Sequence, residues 1–169
     1  MKHIENKFTL KTVTEDLLER VLKIYDTNQD YFKISMNGKP SMKSVIEDKN
    51  EVPPGLNLKN KNYKLISLNG RDIGIIDYVM NYPDEDSISI GLFMINGNFH
   101  RNGYGKEFIE EFIANMRNEG YHRIRLGVLN ENRNGFEFWT RMGFIVIKEM
   151  FSTIHPERNW KIKVMEKTI

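Results

Sequence analysis

A glycine-rich run of polar residues, Asn96 to Lys106, is the part of the sequence best suited to chemistry. It follows an apolar segment and precedes an amphipathic one, so it is expected to lead from a strand into a helix. The first-turn amides of a helix lack intrahelical acceptors and the helix dipole favours negative charge there, so this junction can hold phosphate. Gly103 and Gly105 would admit the anion, and Arg101 and Lys106 would add positive charge. A tight turn without a ligand is the alternative.

Two familiar phosphate-binding motifs do not fit this run. A Walker loop requires glycine at position 100 and serine or threonine after Lys106, where the sequence has His100 and Glu107. A dinucleotide fingerprint requires glycine at position 108, which is Phe108, and an early strand–helix–strand unit that the pattern lacks. Nucleotide hydrolysis and Rossmann-type redox chemistry are therefore disfavoured.

The elements that would position the run can be read from the apolar periodicity on either side of it. Apolar residues three and four apart after Lys106 predict a helix that ends at Gly120. The second half of the chain is predicted to contain a strand over Ser87–Ile95, that helix, a strand over Arg123–Leu129, a helix over Asn132–Met142, and strands over 144–151 and 160–165.

The first half of the chain is predicted to contribute one strand, two helices and a hairpin. Thr12 and Glu15 have the spacing of a capping box, and Asn69-Gly70 is a favoured two-residue hairpin turn. The expected elements are a strand over 7–11, a helix with Leu17, Leu18, Val21, Leu22 and Tyr25 on one face, a short helix over 41–48, and hairpin strands over 65–68 and 72–80. Together these predict a mixed α/β domain.

Composition excludes several classes of protein. The 25 basic and 23 acidic residues give a formal charge of +2, too balanced for a protein that binds by neutralising many phosphates. No apolar run is long enough for a membrane span, and no secretory signal is recognisable. The absence of cysteine excludes disulfides, thiolate–zinc sites and a cysteine nucleophile. We expect one domain over residues 1–169, no nucleic-acid or membrane partner, no metal, and a cytoplasmic location by default.

The glycine-rich run and a second motif resemble the GCN5-related N-acetyltransferases (GNAT family). That family's phosphate loop reads Gln/Arg-x-x-Gly-x-Gly/Ala, which aligns with residues 100–105. Its later segment reads Asn-x-x-Ala-x-x-Phe/Leu-Tyr followed by Gly-Phe, which aligns with Asn132, Gly135, Phe138, Trp139 and residues 143–144. The match covers about residues 87–145. It implies a GNAT-like acyl-CoA N-acyltransferase fold with a central mixed, mostly antiparallel sheet flanked by helices.

The resemblance implies an acetyl-CoA site between the strands Ser87–Ile95 and Arg123–Leu129. Acetyl-CoA would act as cosubstrate, with the pantetheine arm paired to the main chain of Phe93, Met94 and Ile95. The Phe93 amide would hold the thioester oxygen, because a fixed N–H stabilises charge that develops there. The pyrophosphate would lie on His100, Arg101, Asn102, Gly103, Tyr104, Gly105 and Lys106.

Four residues leave alternatives open. His100 stands in the Gln/Arg slot, where it would donate one hydrogen bond to phosphate or lie exposed in the loop. Asn132 would contact the cofactor, cap the following helix, or both. Trp139 replaces a tyrosine that would return a proton to the thiolate; indole cannot deliver one, and core packing is the favoured reading of Trp139. Gly127 stands where some members carry a glutamate base.

The proton acceptor and the amine substrate are not identified by the sequence. Asp77, Asp86 or a chain of waters would have to take the proton of an alkylammonium, whose pKa lies near 10.4. The acceptor would be a small-molecule amine or a peptide amine, with a small amine favoured. Acidic residues that would attract a cation, if they converge, are Asp26, Asp30, Glu47, Asp48 and Glu51.

Two other functions and one assembly state remain possible at this point. An acyl-CoA sensor would bind the cofactor without turnover, as Trp139 and Gly127 suggest, and an interaction domain that has lost the cofactor is suggested by His100. A homodimer would use the exposed edge of the final strands, an expectation that rests on fold analogy alone.

Overall fold

A single seven-stranded sheet runs through most of the chain in the computed structural model, which describes residues 3–36 and 38–169. The strands are β1 (Thr9–Thr12), β2 (Lys61–Leu68), β3 (Arg71–Met80), β4 (Ser87–Ile95), β5 (Arg123–Leu129), β6 (Ile145–Phe151) and β7 (Lys161–Thr168). The α-helices are α1 (Leu18–Asp26), α2 (Gln29–Met36), α3 (Met42–Asn50), α4 (Tyr104–Asn118) and α5 (Arg133–Arg141).

The order of the strands across the sheet is β1-β2-β3-β4-β5-β7-β6. Neighbouring strands are antiparallel except β4 and β5, which are parallel and joined by α4. A parallel pair needs such a crossover, whereas the hairpin of β2 and β3 needs only the turn at Asn69-Gly70, both at positive φ. The prediction of a mixed, mostly antiparallel sheet flanked by helices is confirmed.

Each face of the sheet has its own apolar cluster. Residues Ile76 and Tyr78 of β3 pack on the cluster that contains α4 and α5, whereas Ile75 packs on the cluster that contains α1. Successive side chains of a strand point to opposite faces, so Asp77 shares the face of Ile75. The α4 side is centred on Ile109 and Phe112, as the helical spacing predicts.

Two expectations for the first half of the chain need correction. Thr12 and Glu15 do not form a capping box, because Thr12 ends β1 opposite Lys64 and the helix begins after a short 3-10 turn. Helix α2 was not predicted, since only Phe32 and Ser35 of its residues are buried and the apolar stripe is too narrow to see. The predicted helix after Ser41 is present, and Ser41 and Ser44 cap it reciprocally.

Strand β6 forms one edge of the sheet, as expected of the final strands. It exposes Ile145, Ile147 and Phe151, the last with 63% of its surface accessible. In the described part of the chain, every helix is too short or too polar to cross a membrane.

Candidate functional site

A gap between β4 and β5 is the feature around which the predicted site is built. The two strands pair only from Ser87 with Arg123 to Ile90 with Leu126. Beyond that point both strands continue, but β5 from Gly127 onward is paired only on its other side, with β7. The strands therefore diverge, so that the gap between them has the shape of a wedge. Main-chain groups along the sides of this wedge have no strand partner.

A bulge at Gly91 marks the point where the wedge opens. Asp77 pairs with Leu92 and the next residue of β3 pairs with Ile90, so Gly91 has no partner in β3. A Cβ atom at Gly91 would lie 2.7 Å from Oδ2 of Asp77. The missing side chain thus lets the Asp77 carboxylate lie directly against β4.

The main chain of Phe93 is directed into the gap. The Asn96 amide donates to the Ile73 carbonyl at 2.7 Å, which fixes the phase of the pairing between β3 and β4. Main-chain groups of successive residues alternate between the partner strand and the opposite side. The groups of Phe93 and Ile95 therefore point away from β3, whereas those of Met94 bond to it.

Helix α4 begins at the wide end of the gap. Its N-cap, Gly103, has φ of 77° and no side chain to accept from the first-turn amides; the first intrahelical bond runs from Glu107 N to Gly103 O. Gly105 faces the Phe138 ring and the Ile95 side chain. The predicted junction of strand, loop and helix is therefore present, with first-turn amides available to a ligand.

Side chains of the loop have separate roles. His100 Nε2 lies 2.8 Å from the Ile95 carbonyl and must donate to it, so this imidazole ties the loop to the end of β4. Asn102 donates to the Phe99 carbonyl at 3.3 Å. Arg101 forms no ion pair with any described residue, and Lys106 lies 3.9 Å from Glu110 on the next turn.

The Tyr104 ring turns away from the gap and packs against Phe8 and Phe99. A ligand at the gap would therefore contact the main chain of Tyr104 but not its ring.

Asn132 and Trp139 both have structural roles in α5. Asn132 is the N-cap, and its Oδ1 accepts from Gly135 N at 3.0 Å. Trp139 is 8% exposed, and its ring lies within 5.8 Å of the rings of Phe93, Phe138 and Phe144. Core packing, the favoured reading of Trp139, is what the structure shows, while its ring also contacts the strand whose main chain enters the gap.

A cleft of about 400 Å³ opens on the opposite face of the sheet, which carries α1, α2 and α3. Its walls come from α2, α3 and the loop between β6 and β7. It reaches the gap through Ile90, Gly91, Leu92, Leu126, Gly127 and Leu129. The predicted cofactor-binding residues, all of them in the described part of the chain, do not line this cleft.

An ion pair between Asp77 and Lys61 lies at the inner end of the cleft. Lys61 Nζ is 2.7 Å from Asp77 Oδ2, and the two side chains are only 7% and 11% exposed. Lys61 also donates to the Glu51 carbonyl at 2.5 Å. Burial raises the pKa of Asp77 to about 7, although Lys61 acts in the opposite direction.

Three of the five acidic residues expected to attract a cation converge on the cleft: Glu47, Asp48 and Glu51. Burial raises the pKa of Asp48 to about 6, against the hydrogen bond that Tyr25 donates to it at 2.7 Å. Asp26 and Asp30 do not contribute to the cleft lining.

Asp86 lies at the closed end of the β4–β5 pair, where Arg123 donates to it at 2.8 Å and lowers its pKa. The geometry therefore places Asp77, and not Asp86, beside the gap.

The pairing of Lys61 with Asp77 was hidden from the sequence by a bulge. A regular hairpin closed at Asn69-Gly70 would put Asp77 opposite Asn62. The register shifts after Ile66, so Asp77 pairs with Tyr63 and lies diagonal to Lys61. The sequence shows opposite charges on two strands of one hairpin, but it does not show the register shift that makes them neighbours.

Comparison with known proteins gives a consistent family. The model of the acetyltransferase (GNAT) family matches residues 22–144. An acetyltransferase from Thermus thermophilus superimposes with a TM-score of 0.74 at 18% identity, over 97% of this chain and 98% of that one. A Bacillus subtilis acetyltransferase in complex with CoA gives 0.64 at 11% identity, over 96% and 98%.

An aminoglycoside acetyltransferase in complex with coenzyme A gives a TM-score of 0.71 at 14% identity, over 95% of this chain and 94% of that one. No curated protein matches the sequence significantly. At these identities the structural neighbours show the fold alone, and the predicted fold class is confirmed.

Proposed function

The chain belongs to the GNAT acetyltransferase family, and from that premise we propose that it transfers an acetyl group from acetyl-CoA to a primary amine. The observation that carries the proposal is the wedge between β4 and β5, with α4 starting at its wide end and a cleft on the other face. Acetyl-CoA would enter from the side of α4 and α5, and the amine from the cleft.

The residues at the wedge suit acetyl-CoA chemically. The first-turn amides of α4 would hold the pyrophosphate, because they lack intrahelical acceptors and sit at the positive end of the helix dipole. Arg101 and Lys106 are exposed cations next to them. The Phe93 amide would donate to the thioester oxygen, since it points into the gap. The Ile95 carbonyl already accepts from Asn28 and His100, so the pantetheine arm would pair mainly with Phe93.

The amine would attack the thioester carbonyl directly. The chain has no cysteine, so a cysteine-bound acyl intermediate is excluded. Trp139 cannot supply a proton to the departing sulfur, but a thiol with a pKa near 8.5 leaves readily as thiolate. Glu47, Asp48 and Glu51 in the cleft would attract a cationic amine, which favours a small primary amine as acceptor.

One sheet that spans residues 9–168 supports a single catalytic domain over 1–169. The apolar edge of β6 would serve as the interface of a homodimer. Light scattering of the purified protein would test that assembly.

The first experiment is unfolding of the purified protein with acetyl-CoA, with CoA, and with NAD as control. At about a hundred times its dissociation constant, a ligand adds roughly 2.7 kcal/mol to the free energy of unfolding. Stabilisation by acetyl-CoA but not NAD, followed by release of CoA thiol with amines, is the expected result. Binding without thiol release would favour an acyl-CoA sensor, and no binding would favour an interaction domain.

A further inference from the structure

The carboxylate of Asp77 is the acidic group that lies at the point where the cleft meets the gap. It rests against Gly91 at the bulge, 2.7 Å from where a Cβ would be, and its Cα is paired with that of Leu92. Resting on the acetyl transfer proposed above, we propose that Asp77 accepts the proton of the acceptor's ammonium group. Gly127, across the gap, has no side chain with which to do so.

The spacing along β4 suits this role. Phe93, whose amide would hold the thioester oxygen, lies two residues beyond Gly91, or about 7 Å along the strand. A thioester carbonyl bound at Phe93 and the attacking nitrogen would occupy that interval. Asp77 then reaches the nitrogen directly or through one water, which is the range required of a general base.

Charged groups around Asp77 come from every neighbouring element. Lys61 on β2 donates to Asp77 and fixes the orientation of its carboxylate. The remaining charged and titratable groups of the cleft are Tyr31 of α2, Glu47 and Asp48 of α3, Glu51 after α3, Tyr82 after β3, Arg125 of β5, Lys148 of β6, and His155 and Arg158 of the β6–β7 loop. Tyr63 of β2, opposite Asp77 in register, also faces it. Burial of Asp77 opposes its ionisation most, Lys61 favours it, and the nearby carboxylates of Asp48 and Glu51 oppose it, so its pKa of about 7 suits proton exchange at neutral pH.

Other carboxylates near the cleft are less suited to the reaction. Asp48 accepts a hydrogen bond from Tyr25 and belongs to α3, on the wall of the cleft and away from the bulge. Glu51 is paired with His155 at 3.0 Å. Asp86 is half-exposed, bonded to Arg123, and lies just before β4, at the end where β4 and β5 are paired. Asp77 alone among these lies against the bulge at Gly91.

The proposed step balances in protons and electrons. The ammonium gives one proton to the Asp77 carboxylate, and the neutral amine attacks the thioester carbon with its lone pair. The carbon–sulfur bond then breaks, CoA leaves as thiolate, and the second nitrogen proton passes to that thiolate. Asp77 returns its proton to water through the cleft, so each turnover yields amide, CoA thiol and one proton.

The test compares Asp77→Asn with Asp86→Asn and the wild type, using an alkylamine as acceptor and release of CoA thiol as readout. We expect D77N to lower kcat about 10²- to 10⁴-fold at pH 7, with the KM for acetyl-CoA unchanged and D86N like the wild type. Wild-type kcat/KM should rise with pH and level off above pH 7. In D77N it should keep rising toward the amine's own pKa near 10.4, because only free amine then reacts.

A structural defect of D77N is separated from loss of the base by changing the acceptor. An α-amino group, with a pKa of about 7.7–8.0, is largely unprotonated at pH 9 and needs little help, so the defect should shrink with it relative to an alkylamine. Misfolding would reduce both equally and reduce stabilisation by acetyl-CoA. D77N turnover within threefold of wild type, with the same pH profile, would overturn this inference but leave the proposed function standing. Acetyl-CoA binding by the wild type without thiol release would overturn the proposed function and this inference with it.

Discussion

The two sides of the gap between β4 and β5 are built in different ways. On the side of α4, the candidate ligand groups are main-chain amides from one continuous run, residues 93–106. On the side of the cleft they are charged side chains from β2, β3, α3 and the β6–β7 loop, brought together by the fold. The first side depends on local conformation, and the second depends on strand register.

This difference has consequences for tolerance to substitution. A main-chain site keeps its donors when side chains change, so His100 can be used to tie the loop to Ile95 without loss of the α4 amides. The cleft has no such freedom, because Asp77 is held by one lysine and lies against one glycine. Substitutions should therefore affect turnover most on the cleft side and cofactor affinity most on the α4 side.

After Asp77→Asn itself, the largest effect is expected from Gly91→Ala on the cleft side. The new methyl group would meet Asp77 Oδ2 at 2.7 Å and displace the carboxylate, and a displacement of about 1 Å at a reacting group can cost about 100-fold in rate. Thiol-release assays should show this loss in kcat with acetyl-CoA affinity retained. Gly38→Ala, whose nearest neighbour would be 3.9 Å away, is the control. An unchanged kcat would show that the position of Asp77 is not critical.

The free energy of unfolding should also depend on pH through two carboxylates of the cleft. Folding raises the pKa of Asp77 from 3.8 to about 7 and of Asp48 from 3.8 to about 6, so the folded state binds these protons more tightly. Their stabilising contribution is therefore present below pH 4 and is lost as pH rises toward 7, on the order of 4 kcal/mol for Asp77 alone, because a change of one in pKa corresponds to about 1.4 kcal/mol. Urea unfolding at a series of pH values should give a shallower slope over this range for D77N. The same slope in both proteins would contradict the prediction.

On the α4 side, Gly103→Ala should affect cofactor binding and stability together. Alanine at a φ of 77° costs about 1 kcal/mol, and relief of that strain would move the first-turn amides. Gly55→Ala is a matched control, since Gly55 has φ of 86° with open space around it and lies outside both sites. Thermal unfolding should show a similar loss for both variants, and acetyl-CoA titration should show weaker binding for G103A only. Equal binding by the two would argue against α4 as the phosphate site.

The smallest effect is expected from Lys106→Gln. An exposed lysine contributes about 0.5 kcal/mol to a bound anion, so the KM for acetyl-CoA should rise about twofold at low salt and return toward wild type at high salt. Lys43→Gln removes a comparable exposed lysine of an i,i+4 pair on α3 and should leave this KM unchanged. A salt-independent change would indicate a packing effect instead.

The features on the α4 side could be predicted from the sequence, whereas the contacts of the cleft could not. The bounds of β4 and β5, the glycine-rich junction and the cap at Asn132 were predictable because each depends on residues close in sequence. The neighbours of Asp77 were not, because two bulges in the sheet decide which side chains meet it, one in the pairing with β2 and one with β4. Helix α2 escaped for a related reason, since its two buried residues gain their partners only from tertiary packing.

The sheet also acts as a partition between the two substrates of the proposed reaction. Acetyl-CoA on the α4 and α5 side and the amine in the cleft would meet only through the wedge, so each has its own route to bulk water. Neither substrate would then block the entry of the other, and either product could depart first. Both substrates would be bound before any bond changes. Double-reciprocal plots of initial rate against the concentration of one substrate, at several fixed concentrations of the other, should therefore give intersecting lines and not parallel ones.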